Sequence, residues 1–268
     1  MIRIPDTPLD PTAASALAGF QADLDALPNY ADRVNEAEKK FASRNSKRNK
    51  TFRVVRGTLT AMCSGAKRCM YCEDSVADEI EHVWPKQLYP GRTFVWENYV
   101  YACGPCNGGK RSKFVVFGTS GKRHDVTRKP GAAVVPPVSG QPFLIDPRTE
   151  DPMDFLHLDL RGTFFFIPKS GLRRRGRKRA IFTLDLLKLN SKDSLVTARR
   201  EAYHALLDRL HAYAAIQTKT PKSPKLMRTE RSIREIGQRT VWEEMKRQRG
   251  KINELRELFK AVPEAVNW

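Results

Sequence analysis

No stretch of this chain approaches the roughly 20 consecutive apolar residues that a membrane-spanning helix needs, so a buried span is not expected. The opening Met1-Ile2-Arg3-Ile4-Pro5-Asp6 carries one cation with no apolar run behind it, which argues against a signal peptide and for a cytoplasmic protein. No internal repeat is evident, and no helix-turn-helix or other reading head. Cysteine is scarce, five in 268 residues, and four of the five fall in two Cys-x-x-Cys pairs. In a reducing compartment such pairs mean metal or redox chemistry rather than disulfides. The redox reading needs a thioredoxin-like βαβ context, which is missing, so zinc is expected. Acidic charge is short as well: 30 Asp+Glu face 48 Lys+Arg, leaving a net charge of +18.

A length of 268 residues suits one large domain or two modest ones. An excess of +18 sets up a field that concentrates polyanions, nucleic acid first among them. The cations also cluster, at 44–50, at 110–113 and at Arg173-Arg174-Arg175-Gly176-Arg177-Lys178-Arg179. Arginine dominates the last group and favours bidentate phosphate contacts. A plainly solvated surface and an anionic protein partner are the competing explanations of this charge.

Apolar residues recur at helical spacing in three early stripes: Ala14, Leu17, Phe20, Leu24 and Leu27; Tyr30, Val34, Ala37 and Phe41; Phe52, Val55, Leu59 and Met62. Cys63, at the end of the third and outside both pairs, reads as a small buried side chain rather than a fifth ligand. Residues 78–86 read as a strand and its exit, 87–99 as a loop, 99–103 as a second strand, and a helix is expected from Cys106. The Gly-, Pro- and Lys-rich stretch 117–141 reads as an exposed connection. Strand-like runs follow at 143–145 and 163–167. An amphipathic helix spans Leu195 to Tyr213, and a last helix is expected to carry Ile233, Ile236, Met245, Ile252, Leu255 and Phe259.

The chemistry gathers between residues 69 and 113. Cys69, Cys72, Cys103 and Cys106 can hold one tetrahedral zinc, because each Cys-x-x-Cys turn presents two sulfurs to one side. Inside that clamp lie Glu81, His82, Asn98 and Asn107. Phosphodiester hydrolysis needs a base for water, charge neutralisation at phosphorus and relief of charge on the leaving oxygen. His82 titrates in the right range to be the base. Glu81 and Asn107 offer oxygen ligands to one Mg²⁺ or Mn²⁺. Asn98 suits bridging of loop backbone groups, and Lys110, one turn beyond Asn107, suits a phosphate contact. Singly, each of these residues has an ordinary structural role. Together, in this order and inside a four-cysteine clamp, they argue for a site.

Cys69-x-x-Cys72, Glu81-His82-x-x-Pro85-Lys86, Trp96-x-Asn98 and Cys103-x-x-Cys106-Asn107-x-x-Lys110 resemble the HNH endonucleases, whose fold is a ββα-metal module. The resemblance implies His82 as general base, Asn98 as a structural asparagine fixing the loop, Asn107 as a metal ligand, and Glu81 in an acidic position more often held by Asp. Further residues narrow the match: Met70-Tyr71, Ile80, Val83-Trp84, Tyr89-Pro90, Phe94-x-Trp96, Leu144-Ile145-Asp146-Pro147 and Asp151-Pro152. Over roughly residues 50–190 the chain is similar to the HNH subunits of Septu-type anti-phage systems and of retrons carrying the same pair. That similarity implies a defence nuclease working with an ATPase subunit.

The expected architecture is therefore an α+β protein with a zinc-stapled ββα-metal nuclease module flanked by N- and C-terminal helices. The expected division is an N-terminal helical region at 1–64, the module at 65–116, a basic, partly β connection at 117–190 and a C-terminal helical region at 191–268. Nucleic acid, with DNA expected first, would meet Lys86, Lys110, Arg111, Lys113, Arg173, Arg174 and Arg175. Three rivals stay open: an RNase of the same system acting on tRNA or other RNA, a non-catalytic zinc module that only binds nucleic acid, and a stand-alone homing or restriction-type enzyme.

Overall fold

Side-chain caps start each of the first three helices in the computed structural model, which describes residues 1–268. Asp10 accepts from Ala13 N to open α1 (Pro11–Asp25), Asn29 accepts from Asp32 N at α2 (Tyr30–Arg44), and Asn49 from Phe52 N at α3 (Lys50–Met62). Each cap satisfies an amide that the first helical turn leaves without a partner. The apolar stripes face inward: Leu17 and Leu24, then Val34, Ala37 and Phe41, then Phe52, Val55, Leu59 and Met62 are buried. Ala14 is exposed, and its neighbour Ala13 is the buried residue.

β1 (Glu79–His82) and β2 (Tyr99–Ala102) pair antiparallel, with His82 opposite Tyr99 and Glu79 opposite Ala102. α4 (Gly104–Lys110) follows directly, begins two residues before the expected Cys106, and has Cys103 at its N-cap. It packs against β1 and against α5 (Arg174–Leu187). The whole is a mixed α+β arrangement: nine α-helices around three small antiparallel sheets. No helix is long and apolar enough to cross a membrane.

Several expectations for the second half are corrected. The stretch 117–141 is not simply a connection. β3 (Val115–Phe117), β4 (Arg123–Asp125) and β5 (Gln141–Pro142) form a sheet in the order β4-β3-β5. Period-two alternation sends Val115 and Phe117 toward Phe143 and Val116 toward Leu88 and Phe114. Residues 143–145 form no strand, although all three are buried. One further bond extends the ladder, Phe143 N donating to Val115 O (2.8 Å), and the Ile145 amide then turns to Thr183 Oγ1 (3.0 Å). β6 (Leu156–Leu158) was not expected and pairs with β7 (Phe166–Pro168).

The arginine cluster is the start of α5 and not a linker. α6 (Asp193–Lys219) matches the expected amphipathic helix. The single last helix is in fact three, α7 (Pro224–Arg234), α8 (Arg239–Gln248) and α9 (Asn253–Ala261), broken where Gly237 and Gly250 fall. Gly237 also lets two backbones meet: a Cβ on Gly65, whose φ is +51°, would lie 2.7 Å from Gly237 Cα. One apolar core of 57 buried residues runs through all of this, joining Leu17 and Phe52 to Tyr71, Val100, Leu206, Trp242 and Leu255. The C-terminal helices thus spend Trp242, Met245 and Phe259 on the chain's own interior.

Candidate metal centre and adjoining cleft

The four paired cysteines converge. Cys69 and Cys72 lie on a tight loop closed by Cys69 N donating to Ser75 O (2.9 Å) and Glu73 N donating to Cys69 O (2.8 Å). Met70 N donates to Tyr101 O (2.9 Å), which holds that loop against β2. Cys103 and Cys106 sit at the N-cap and in the first turn of α4. All four are buried, and their sulfurs lie within 4.8 Å of one another. Cys72 Sγ and Cys103 Sγ are 3.8 Å apart. A tetrahedron with Zn–S bonds of about 2.3 Å has edges of about 3.8 Å, so the group fits a zinc ion. Four crowded thiols cannot all ionise without a cation: their mutual hydrogen bonds, with Cys103 foremost, push Cys69 and Cys106 up and hold Cys72 down. A dication resolves that conflict. Cys63 lies outside the group, donates to Leu59 O (3.2 Å), and is pushed up to about 11 by burial.

Beside this centre a small cleft of about 80 Å³ is lined by Glu81, His82, Lys86, Asn107 and Arg111, with Gln87 at its edge. Five residues singled out in the sequence therefore share one cavity. His82 is buried, its ring meeting Phe41 and Tyr99 edge-on with centroids 4.5 and 5.2 Å away. His82 Nε2 lies 2.9 Å from Thr93 O, and a carbonyl only accepts, so Nε2 carries the hydrogen and Nδ1 keeps the lone pair. The Tyr99 hydroxyl donates to the same carbonyl at 2.7 Å. Burial, helped by the Lys86 charge, pulls His82 down to about 3, which keeps the imidazole neutral but corrects the expectation that it titrates near physiological pH.

Asn98 is buried and ties the loop between the strands. Its Oδ1 accepts from Trp84 N (2.8 Å), and its Nδ2 donates to Trp84 O (3.0 Å) and Arg92 O (2.8 Å). Gln21 of α1 clamps the same loop, donating to Pro90 O (3.2 Å) and accepting from Phe94 N (2.9 Å). Residues far upstream thereby set the carbonyl that orients His82.

α4 meets β1 in two rungs. Asn107 Nδ2 donates to Glu79 Oε2 (2.5 Å), and three residues on, Lys110 Nζ donates to Glu81 Oε1 (2.5 Å). Helix residues three apart thus reach strand residues two apart. Glu79 escaped the sequence reading, although its i, i+2 relation to Glu81 on an expected strand was the available signal. Thr93, whose carbonyl matters and whose side chain does not, left no signal at all.

Lys110 requires a correction. It is fully buried, and its ammonium also donates to His82 O (2.8 Å), so it orients Glu81 and the His82 backbone and is withheld from phosphates. Burial pushes the Glu81 carboxyl up while Lys110 pulls it back. A Lys110→Met variant is expected to lose about 3–5 kcal/mol of stability, because it leaves a buried carboxylate without its counter-charge. Adding Glu81→Gln should restore much of that loss. Urea unfolding of the two variants checks this, and equal losses in both would remove the ion pair as the cause.

Lys86 stands at the cleft with its ammonium 5.1 Å from the Phe41 ring, and burial lowers it from the ordinary lysine value. Arg111 and Lys113 are exposed just past α4. Arg173, Arg174 and Arg175 are exposed at the far end of α5 and do not line the cleft.

No family model matches the chain. Over 137 residues it is 28% identical to the Septu protein PtuB of Bacillus thuringiensis, an alignment covering 49% of this chain and 40% of that protein. The chain is similar to a Septu protein. It spans less than half the length of that relative, and the likeness supports a Septu-like protein at that level.

Proposed function

We propose that this chain is a metal-dependent HNH-type endonuclease that cuts DNA, acting in anti-phage defence as the nuclease subunit beside a partner ATPase. In this reading β1, β2 and α4 are the ββα-metal module, within residues 65–116, and the surrounding helical and β regions brace it. One observation carries the reading: a neutral histidine whose Nε2 is anchored to a backbone carbonyl lines the same cleft as Glu81 and Asn107, directly against a four-cysteine centre.

The oxygen donors fit a hard dication such as Mg²⁺ or Mn²⁺. Glu81 Oε2 and Asn107 Oδ1 accept no hydrogen bond from the protein, whereas Glu81 Oε1 is held by Lys110 and Asn107 Nδ2 by Glu79. When bound, the ion would neutralise charge on the phosphate and the leaving oxygen. The chain's own groups do the rest. His82 Nδ1 takes a proton from the attacking water, and the Thr93 carbonyl stabilises the imidazolium that forms at Nε2. Lys110 fixes Glu81, Asn98 fixes the loop, and Lys86 and Arg111 attract the phosphodiester to the cleft.

The zinc would sit apart from this chemistry, since a closed Cys₄ set has no open position for substrate. The partner reading rests on the likeness to the Septu protein. The test is incubation with supercoiled DNA and Mg²⁺, with and without the proposed partner ATPase. Nicked and linear products are expected with the partner present. If DNA stays intact while RNA is cut, the substrate assignment moves to RNA. If neither is cut, a binding module replaces the nuclease.

A further inference from the structure

The positive charge is not distributed alike over the molecule. On α7, α8 and α9 six of the nine cations are paired: Arg231 with Glu235, Arg234 with Glu230, Arg239 with Glu243, Lys246 with Glu243, Arg247 with Glu244 and Lys260 with Glu257. Apart from the Arg247 pair, whose Glu244 is buried, these pairs describe an ordinary solvated surface. Residues 111–129, by contrast, carry six cations and one acid, and residues 169–179 carry seven cations and no acid. Of these, Lys122, Arg123, Arg173, Arg174, Arg175 and Lys178 are exposed, and none forms an ion pair or a side-chain hydrogen bond within the chain.

These two segments meet in space. β3 leaves the end of α4 and turns at 118–122 into β4. α5 touches α4 at its other end, where Leu186 O faces Gly109. Arg175 lies over the Phe117 ring, 5.3 Å from its centroid, and Gly121, with φ +74°, brings the turn against it: a Cβ there would fall 2.5 Å from Arg175 Nη2. Arg123 is directly opposite Phe117 in the ladder, so it projects from the same face of the sheet. Leu186 is twelve residues along α5 from Arg174, about 18 Å at 1.5 Å per residue. The cations at the β3–β4 turn and the start of α5 therefore cap an arm reaching about 18 Å from the α4 edge of the cleft.

This arm also breaks local rules. Cations occupy the first turn of α5, where the helix dipole favours anions, no acid stands there, and Arg173 at the N-cap makes no side-chain cap. Arg173 with Arg177, and Arg174 with Lys178, are like charges one turn apart. A sequence that violates its own helix preferences without internal compensation points to a compensation from outside. An external polyanion provides it, meeting both the guanidinium groups and the free amides of the helix N-terminus.

The geometry points to a second contact on the DNA: the β3–β4 turn and the start of α5 grip the duplex backbone about five base pairs from the cut, taking about 3.4 Å of axis per base pair. This rests on the nuclease reading above. The arm is thus a ruler as well as an anchor. Cleavage needs that much duplex on one side of the scissile phosphate, and Lys122, Arg174 and Arg175 are its grip.

Binding is measured by fluorescence anisotropy on a 30-base-pair duplex across a salt titration, using His82→Ala protein so that the DNA stays whole. Replacing Lys122, Arg174 and Arg175 together by Ala should weaken binding about tenfold or more and reduce the log–log salt slope by about 3. Replacing the two arginines by Lys should keep the slope and shows that the fold is intact. With His82 restored and the partner present, trimming the duplex to three base pairs on the gripped side should remove the difference between parent and triple variant. Trimming the other side should not. Unchanged affinity and slope overturn the arm while cleavage persists, leaving the nuclease reading standing. Unchanged DNA binding with loss of ATPase association also overturns it and makes the cluster a protein interface. A parent protein that neither binds nor cuts DNA overturns the nuclease reading itself, and the arm with it.

Discussion

Cys106→Ser protein is expected to purify without zinc and to lack a cooperative melting transition near that of the parent. The four sulfurs tie the 68–76 loop, the end of β2 and the first turn of α4 to one point, with the Met70–Tyr101 hydrogen bonds as the loop's other tether to β2. Free energies of zinc binding to such sites are about 10–16 kcal/mol, and in a site absent from the unfolded chain they are folding free energy. A typical domain has only about 5–15 kcal/mol of net stability to lose. The metal-free variant also keeps three buried thiols pressed together with no cation among them. Cys63→Ser is the control, because its thiol lies outside the group and its hydrogen bond goes to the α3 backbone at Leu59 O. It should retain one zinc per chain and melt within about 1 kcal/mol of the parent. Elemental analysis with circular-dichroism melting reads both variants. A Cys106→Ser protein that melts normally without zinc would show that the knuckle is held by packing alone.

The parts of the fold that were legible in the sequence are those governed by local rules. The three N-terminal stripes, the hairpin and the cysteine spacing each follow from a period or a motif, and each occupies its expected place. What escaped depends on which neighbour a residue meets. Lys110 shares a helix face with Asn107, but spacing alone cannot say whether that face looks at β1 or at solvent, and it looks at β1. The burial of His82 is set by Phe41 of α2, about forty residues upstream, and its orientation by a carbonyl that any residue at 93 could supply. α5 was hidden because its first turn, Arg174-Arg175-Gly176-Arg177, contradicts helix preferences. β3 and β4 are three residues each, too short for alternation to be visible among Gly, Ser and Lys.

His82→Ala protein is expected to lose cleavage by about 10²–10⁴-fold, the usual worth of a positioned general base, or about 2.7–5.4 kcal/mol in the barrier. Zinc content should not change, since no sulfur ligand touches the ring. DNA affinity should change little, because it comes from phosphate contacts spread over the basic surface and not from the base. Removing a ring packed between Phe41 and Tyr99 leaves a cavity, so His82→Gln is the companion variant: its amide can still donate toward Thr93 O while offering no basic nitrogen. Both should be inactive, and the glutamine variant should melt closer to the parent. Asn107→Ala should also be inactive, through lost metal rather than a lost base. Raising Mg²⁺ should therefore recover part of its activity and none of the activity of the His82 variants. Single-turnover cleavage with the partner present separates these cases, because a restrained parent without its partner would look like a dead mutant. A His82→Gln enzyme that cuts at the parent's rate would move the base to another residue of the cleft.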